Sequence, residues 1–246
     1  MRNLFCLLLL VNASLSGQSI QKMENTSISF LPIQHATFVI QTDSLVIYID
    51  PYGGEEKFKG LPEPDLILIT DIHGDHLNLP TLESINTEKA RFIVPSAVAS
   101  KLPEKFKDNA VILDNGSETT YDDLRIEAVP MYNLPEDETS RHTKGRGNGY
   151  VITIENKRIY ISGDTEDIPE MRNLKNIDIA FVCMNLPYTM DIDQAADAVL
   201  EFKPKTVYPY HYRGKPGLSD IEAFKKLVNS GNDAIEVVLL DWYPKP

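Results

Sequence analysis

Only two cysteines, Cys6 and Cys183, occur in the 246 residues. Cys6 falls in the leader described below, so the mature chain keeps one thiol and no intrachain disulfide can form; the fold must be held by its own core. Positive charge is also scarce: 24 Lys and Arg stand against 36 Asp and Glu, a formal net charge of −12. The basic residues are scattered, which argues against a polyanionic partner such as nucleic acid. No apolar stretch approaches the roughly 20 residues of a membrane-spanning helix. Low-complexity tracts and Pro-, Gly- or Ser-rich linkers are missing too, so residues 18–246 read as a single domain. No Gly-x-Ser-x-Gly run offers a serine nucleophile. Gly145-x-Gly147-x-Gly149 precedes a strand instead of opening a helix, which is the wrong context for a phosphate cradle.

What is present begins with a leader. Arg2 gives a positive start, Leu4 to Val11 form a short apolar core, and Asn12 to Gly17 supply small residues for cleavage. This is the pattern of a secretory signal peptide over residues 1–17. The expected destination is secreted or periplasmic, with no stable membrane insertion after cleavage; export without disulfides suits a bacterial periplasm.

Short apolar and β-branched runs then alternate with two helical regions. Strands are expected at 27–33, 37–41 and 44–50, and at 66–70, where Leu66-Ile67-Leu68-Ile69-Thr70 is apolar on both faces. Further strands are expected at 91–95, 110–113, 119–121 and 124–129. A hairpin is expected over 149–155 and 158–162, turning at Asn156-Lys157, with strands at 179–184, 206–209 and 235–240. Helices are expected at 80–85, 96–102, 191–201 and 219–229, the last with Ser219 as N-cap. Strands that lead each half and helices that close it suit an α/β fold of two packed sheets covered by helices, although periodicity does not choose it over other α/β classes.

All five histidines lie in or near loops at expected strand ends. The densest cluster is Asp71-Ile72-His73-Gly74-Asp75-His76, directly after the buried strand. In extended backbone Asp71, His73 and Asp75 point to one side, and Gly74 lets the chain turn so that His76 approaches from another direction. Imidazoles and carboxylates at this density suit zinc and similar divalent metals. His142, in Arg141-His142-Thr143-Lys144-Gly145-Arg146, is a further ligand or substrate contact. Lys144, Arg146 and Arg213 sit beside candidate ligands and offer charge for an anionic substrate group.

The run resembles the His-x-His-x-Asp-His motif of the metallo-β-lactamase superfamily, and other landmarks follow in order. They are the strand ending in Asp50-Pro51, Arg158–Thr165 leading to Asp164, and Val207–Tyr210 leading to His211. The early His35-Ala36-Thr37-Phe38 segment is most similar to the ascorbate-phosphate-lactonase-like branch. The resemblance implies a four-layer αββα sandwich and a metal-dependent hydrolase in which a metal-bound hydroxide attacks a small-molecule ester, lactone, amide or phosphodiester. It implies Asp75, His76 and His211 on one metal, His73 and Asp71 on another, Asp164 bridging both, and Asp75 as the catalytic carboxylate. Asp50 would hold the metal loop from behind; His35, Asn133 and Arg213 would meet substrate. The expected cofactor is Zn2+, one or two ions per chain.

Two departures touch one metal position. Asp71 stands where the family has its opening His, a harder ligand that admits Mn2+ or Fe2+. Asn133, in Pro130-Met131-Tyr132-Asn133, stands where another His belongs, and His142 is the available substitute. Alternatives to the enzyme are a non-catalytic metal-binding or ligand-sensing protein on the same fold, and a superfamily nuclease.

Overall fold

The computed structural model describes residues 20–215 and 217–244. The signal-peptide reading of residues 1–17 lies outside the described residues. Among the described residues no helix is long and apolar enough to cross a membrane.

One sheet holds β1 (Gln21–Lys22), β2 (Ser29–Gln34), β3 (Thr37–Gln41), β4 (Val46–Ile49), β5 (Leu66–Leu68), β6 (Arg91–Val94) and β7 (Ala110–Ile112), in that spatial order. The first three pairings are antiparallel and the last three parallel. The second sheet runs through β8 (Glu118–Tyr121), β9 (Leu124–Met131), β10 (Gly147–Ile154), β11 (Lys157–Ile161), β12 (Ile179–Cys183) and β13 (Thr206–Tyr210). After a small hairpin of β14 (Arg213–Gly214) and β15 (Gly217–Leu218), β16 (Glu236–Val237) closes it beside β13. Here too the first three pairings are antiparallel and the rest parallel.

Residue alternation explains the layering. Phe38, Ile40, Ile47, Ile49, Leu66, Leu68 and Ile93 enter the core shared with the second sheet. Their neighbours Val39, Val46, Tyr48, Ile67, Ile69, Phe92 and Val94 form a separate core on the other face. Period-two strands with both faces apolar require a cover on each side. The outer cover of the first sheet comes from α1 (Leu79–Ser84), α2 (Ser96–Ala99) and α3 (Glu104–Lys107), through Leu82, Val98 and Phe106. The second sheet is covered by α4 (Pro169–Arg172), α5 (Ile192–Phe202) and α6 (Ile221–Gly231), through Met171, Val199 and Phe224. The architecture is the four-layer αββα sandwich.

Three local expectations change. The β10–β11 turn is Glu155-Asn156, one residue early, because both adopt left-handed φ (49° and 60°), the pattern of a two-residue hairpin whose twist matches its strands. The N-cap of α6 is Asp220, whose Oδ1 accepts the Ala223 N–H at 2.9 Å, while the Ser219 hydroxyl donates to the Met184 carbonyl instead. The closing strand shrinks to two residues, after which the chain carries Trp242 into full burial.

Every parallel strand of a sheet ends at the same edge. Asp50 follows β4, Asp71 to His76 follow β5, Asp164 follows β11, Asn185 follows β12 and His211 follows β13. The β9–β10 loop, carrying His142 and Arg146, opens at that edge as well. Crevices outside the carboxyl ends of strands are where α/β sheets place their chemistry.

Candidate metal centre

Close approach of the two sheets builds the site. The Asn148 N–H donates to the Thr70 carbonyl at 2.9 Å, joining β10 to the loop after β5. A Cβ on Gly147 would lie 2.7 Å from that same carbonyl, and one on Gly149 would lie 2.8 Å from the Ser162 carbonyl. Glycine is required at both because real Cβ atoms do not approach oxygen so closely. The glycine run thus serves sheet packing.

Asp50 aims His76. Its Oδ1 accepts the Thr70 N–H at 2.7 Å, and its Oδ2 accepts the Thr70 hydroxyl at 2.6 Å and faces His76 Nδ1 at 2.8 Å. A carboxylate on Nδ1 fixes the imidazole so that Nε2 faces the pocket, the arrangement that orients metal-binding histidines. Thr70, which the sequence reading passed over, ties the two together.

Asp164 stands at the centre. Its Oδ2 lies 3.4 Å from His76 Nε2 and 3.2 Å from His142 Nε2, and its Oδ1 lies 3.3 Å from His211 Nε2. The Gly163 N–H before it donates to the Tyr210 hydroxyl oxygen at 3.0 Å, which holds the turn. Asp71, His73 and His142 gather on one side: His73 Nδ1 is 2.5 Å from Asp71 Oδ2, and His142 Nε2 is 3.9 Å from it. The ligand atoms of Asp71, His73 and His142 lie within 4.8 Å of one another, as do those of His76, Asp164 and His211. Asp75 Oδ2 faces His211 Nε2 at 3.5 Å and groups with His35 and His211, while His211 also belongs to the His76–Asp164 set.

The donor set fits a divalent metal on a direct observation. His76 Nε2, His142 Nδ1 and Nε2, His211 Nδ1 and Asp164 Oδ1 are buried without a hydrogen-bond partner in the protein. Leaving a buried polar atom unsatisfied costs about 1–3 kcal/mol, and such atoms are rare. His76 Nε2 and His142 Nε2 both face the Asp164 carboxylate, and unpartnered ligand atoms gathered around one carboxylate are the signature of a site built to coordinate.

The buried charges of the cluster compensate one another. At His76 burial opposes the charged form, but Asp164 and Asp50 overcome it and raise its pKa well above the ordinary value. At Asp164 burial is likewise outweighed, here by His211, His76 and His142, and the carboxyl is driven far down. Asp71 is held at about 2, burial being overcome by His73, His76 and Arg146. Asp75 is kept below the usual carboxylate range by His211 and His76 despite burial. His35 is pushed down to about 4, first by burial and then by His211, and is neutral near pH 7.

The other expected residues divide. His35 lies beside His211, with ring centroids 5.5 Å apart, and its Nδ1 shares a hydrogen bond with the Tyr243 hydroxyl at 3.2 Å. Arg213 lies over the Tyr243 ring, 4.2 Å from its centroid, at the rim. Asn133 is buried behind His142, and its side chain is used within the protein. Its amide donates to Glu166 and to the Tyr188 carbonyl, and its Oδ1 accepts the His142 N–H at 2.8 Å. Asn133 therefore supports the His142 loop and leaves no free donor for substrate. The sequence reading also missed Asn185, whose side-chain amide lies 3.5 Å from His211 Nε2, and Tyr243. The position of Asn185, directly beyond a buried parallel strand, was a signal available for it.

Comparison with known proteins gives the same picture. The β-lactamase superfamily domain matches residues 28–211. A UPF0173 metal-dependent hydrolase from Pyrococcus abyssi is 34% identical over 216 residues, covering 84% of this chain and 93% of the relative. Among solved structures, a candidate metal-dependent hydrolase from Parabacteroides distasonis ATCC 8503 superimposes with a TM-score of 0.79 at 34% identity, over 92% of this chain and 99% of that one. A metallo hydrolase from the hyperthermophilic archaeon Ignicoccus hospitalis gives 0.73 at 26% identity, over 87% and 95%. With a divalent-metal donor set at the strand ends of an αββα sandwich, the chain belongs to the β-lactamase superfamily and, within it, to the UPF0173 metal-dependent hydrolases.

Proposed function

We propose that the protein hydrolyses an ester, lactone, amide or phosphodiester bond of a small molecule, using two divalent ions with zinc as the first choice. The observation that carries this reading is that the unpartnered His76 Nε2 and His142 Nε2 approach the Asp164 carboxylate from two sides, at 3.4 and 3.2 Å, while Asp164 Oδ1 is itself unpartnered. A divalent metal bound there supplies a Lewis acid and a water whose pKa falls from about 15.7 to about 7. His76, Asp164 and His211 would hold one ion and Asp71, His73 and His142 the other, with Asp164 facing both sets. Imidazole nitrogens favour zinc, and the Asp71 oxygen tilts its position toward Mn2+ or Fe2+.

Asp75 is ionised, partly exposed and beside His211, so its Oδ2 can accept a hydrogen bond from water and orient it. Neutral His35, fixed by Tyr243, can donate or accept a hydrogen bond at the rim. Arg213, held over the Tyr243 ring, offers its outer N–H groups to an anionic substituent of the substrate. Export is part of the proposal and rests on the leader at residues 1–17; a mature protein still beginning at Met1 refutes it.

The test is metal analysis of the purified protein, with hydrolysis assays on one phosphodiester and one lactone reporter. The expected result is bound divalent metal and turnover of a reporter, with His76→Ala losing metal and at least about 100-fold in rate. Metal uptake with no turnover of any tested bond would favour the non-catalytic alternative. No uptake, even after reconstitution, defeats the reading.

A further inference from the structure

Asp71 differs from the other candidate ligands in being forked by a cation. Arg146 Nε donates to its Oδ1 and a terminal guanidinium nitrogen to its Oδ2, each at 3.2 Å. This is the bidentate arrangement of an arginine–carboxylate pair. The pairing is fixed from the backbone outward. The Asn148 N–H holds the Thr70 carbonyl, and bare Gly147 presses on the same oxygen, so residues 146 and 71 lie abreast. Asp71 is fully buried and the Arg146 side chain is 20% exposed, so water screens the pair only weakly. Lys144, the neighbouring cation of this loop, is committed to Glu136 and Glu170.

An imidazole at position 71 would bring no net charge. Asp71 brings one negative charge and Arg146 cancels it, but the cancelling cation is fixed next to the place where a divalent cation would sit. Like charges repel strongly at a site this dry. Asp164, by contrast, has only histidines as ion-pair partners among the described residues.

We infer that Arg146 holds down the metal affinity of the Asp71–His73–His142 position, making its ion the exchangeable one of the two. The inference rests on the two-metal reading proposed above, and it makes Arg146 a positioning and charge-setting residue rather than a ligand.

The test titrates the metal-free full chain with Zn2+ in competition with a chromophoric chelator and counts the ions retained after dialysis. Three variants separate charge from shape: Arg146→Met, Arg146→Gln and Arg146→Lys, each checked for folding by circular dichroism. The expected wild-type result is two ions of unequal affinity. Arg146→Met and Arg146→Gln tighten the weaker one by about ten-fold or more, and Arg146→Lys, which keeps the charge, leaves it within about three-fold. Folded Met and Gln variants whose weaker site is unchanged or weaker still overturn the inference while leaving two-metal binding intact. A wild-type chain that saturates at one ion removes the two-metal reading, and the inference with it.

Discussion

Asp50 lies outside the candidate ligand set, yet it governs the direction of His76. One buried carboxylate receives the Thr70 amide, the Thr70 hydroxyl and the Nδ1 side of the imidazole. It does so from a left-handed backbone, φ 44°, and His35 and His211 share that unusual conformation at φ 53° and 44°. Non-glycine residues in this region cost of order 1 kcal/mol, and they persist at sites where the surroundings dictate geometry. Asp50→Asn keeps the shape but loses the charge that favours a donor at Nδ1. It should lower metal affinity about 10- to 100-fold with the fold intact, as measured by chelator competition. An unchanged affinity would show that Thr70 alone orients His76. Legibility at this scale followed sequence distance. His73, His76 and Asp75 were readable because they crowd within a few positions after an apolar strand. The Arg146–Asp71 pair spans 75 positions, and no local pattern announces such a contact. The inward bonding of Asn133 to Glu166, the Tyr188 carbonyl and the His142 amide was likewise beyond any local pattern.

Elements bring these residues together by ending in step, and the opposite ends of the strands are pinned as deliberately. Asp178, just before β12, accepts the Arg158 N–H at 2.9 Å on Oδ2 and Lys205 Nζ at 2.8 Å on Oδ1, which ties the starts of β11, β12 and β13. Burial works against its ionisation, but Lys205 and the Arg158 amide prevail and its pKa is lowered. A depressed folded value means that its stabilisation is complete above the unfolded value of about 3.9 and is lost as pH falls through the lower folded one. Asp178→Asn should therefore cost about 1 kcal/mol at pH 7 and less as the solution is acidified below about pH 4, read from denaturant midpoints across pH. A constant difference across that range would deny the charge any role. Most strands were legible in the sequence because apolar, β-branched runs mark them, as in Thr37–Gln41 and Thr206–Tyr210. The four-residue α3 and α4 and the two-residue β14 and β15 were not, since pieces so short carry no periodicity and depend on tertiary contacts.

In the whole molecule the two sheets each contribute half of the centre. The first supplies Asp71, His73, Asp75 and His76, with Asp50 behind them; the second supplies Asp164 and His211 and, through the β9–β10 loop, His142. The aromatic stack of Phe38, Phe181 and Tyr208 joins the sheets beneath, with Phe38–Phe181 centroids at 4.3 Å and Phe181–Tyr208 at 5.0 Å. The site therefore exists only when the halves are docked, and metal binding should report on their assembly. The order of landmarks along the chain made the sandwich readable, because each strand-end residue falls where two parallel sheet edges meet. The charge balance around each candidate ligand group was not readable, since it depends on loops folded over the top. The most direct measurement is anomalous diffraction at the metal absorption edge from crystals of the reconstituted protein. The account predicts peaks enclosed by His76, Asp164 and His211 and by Asp71, His73 and His142, with Asp164 next to both. Peaks elsewhere, or none after reconstitution, would contradict it.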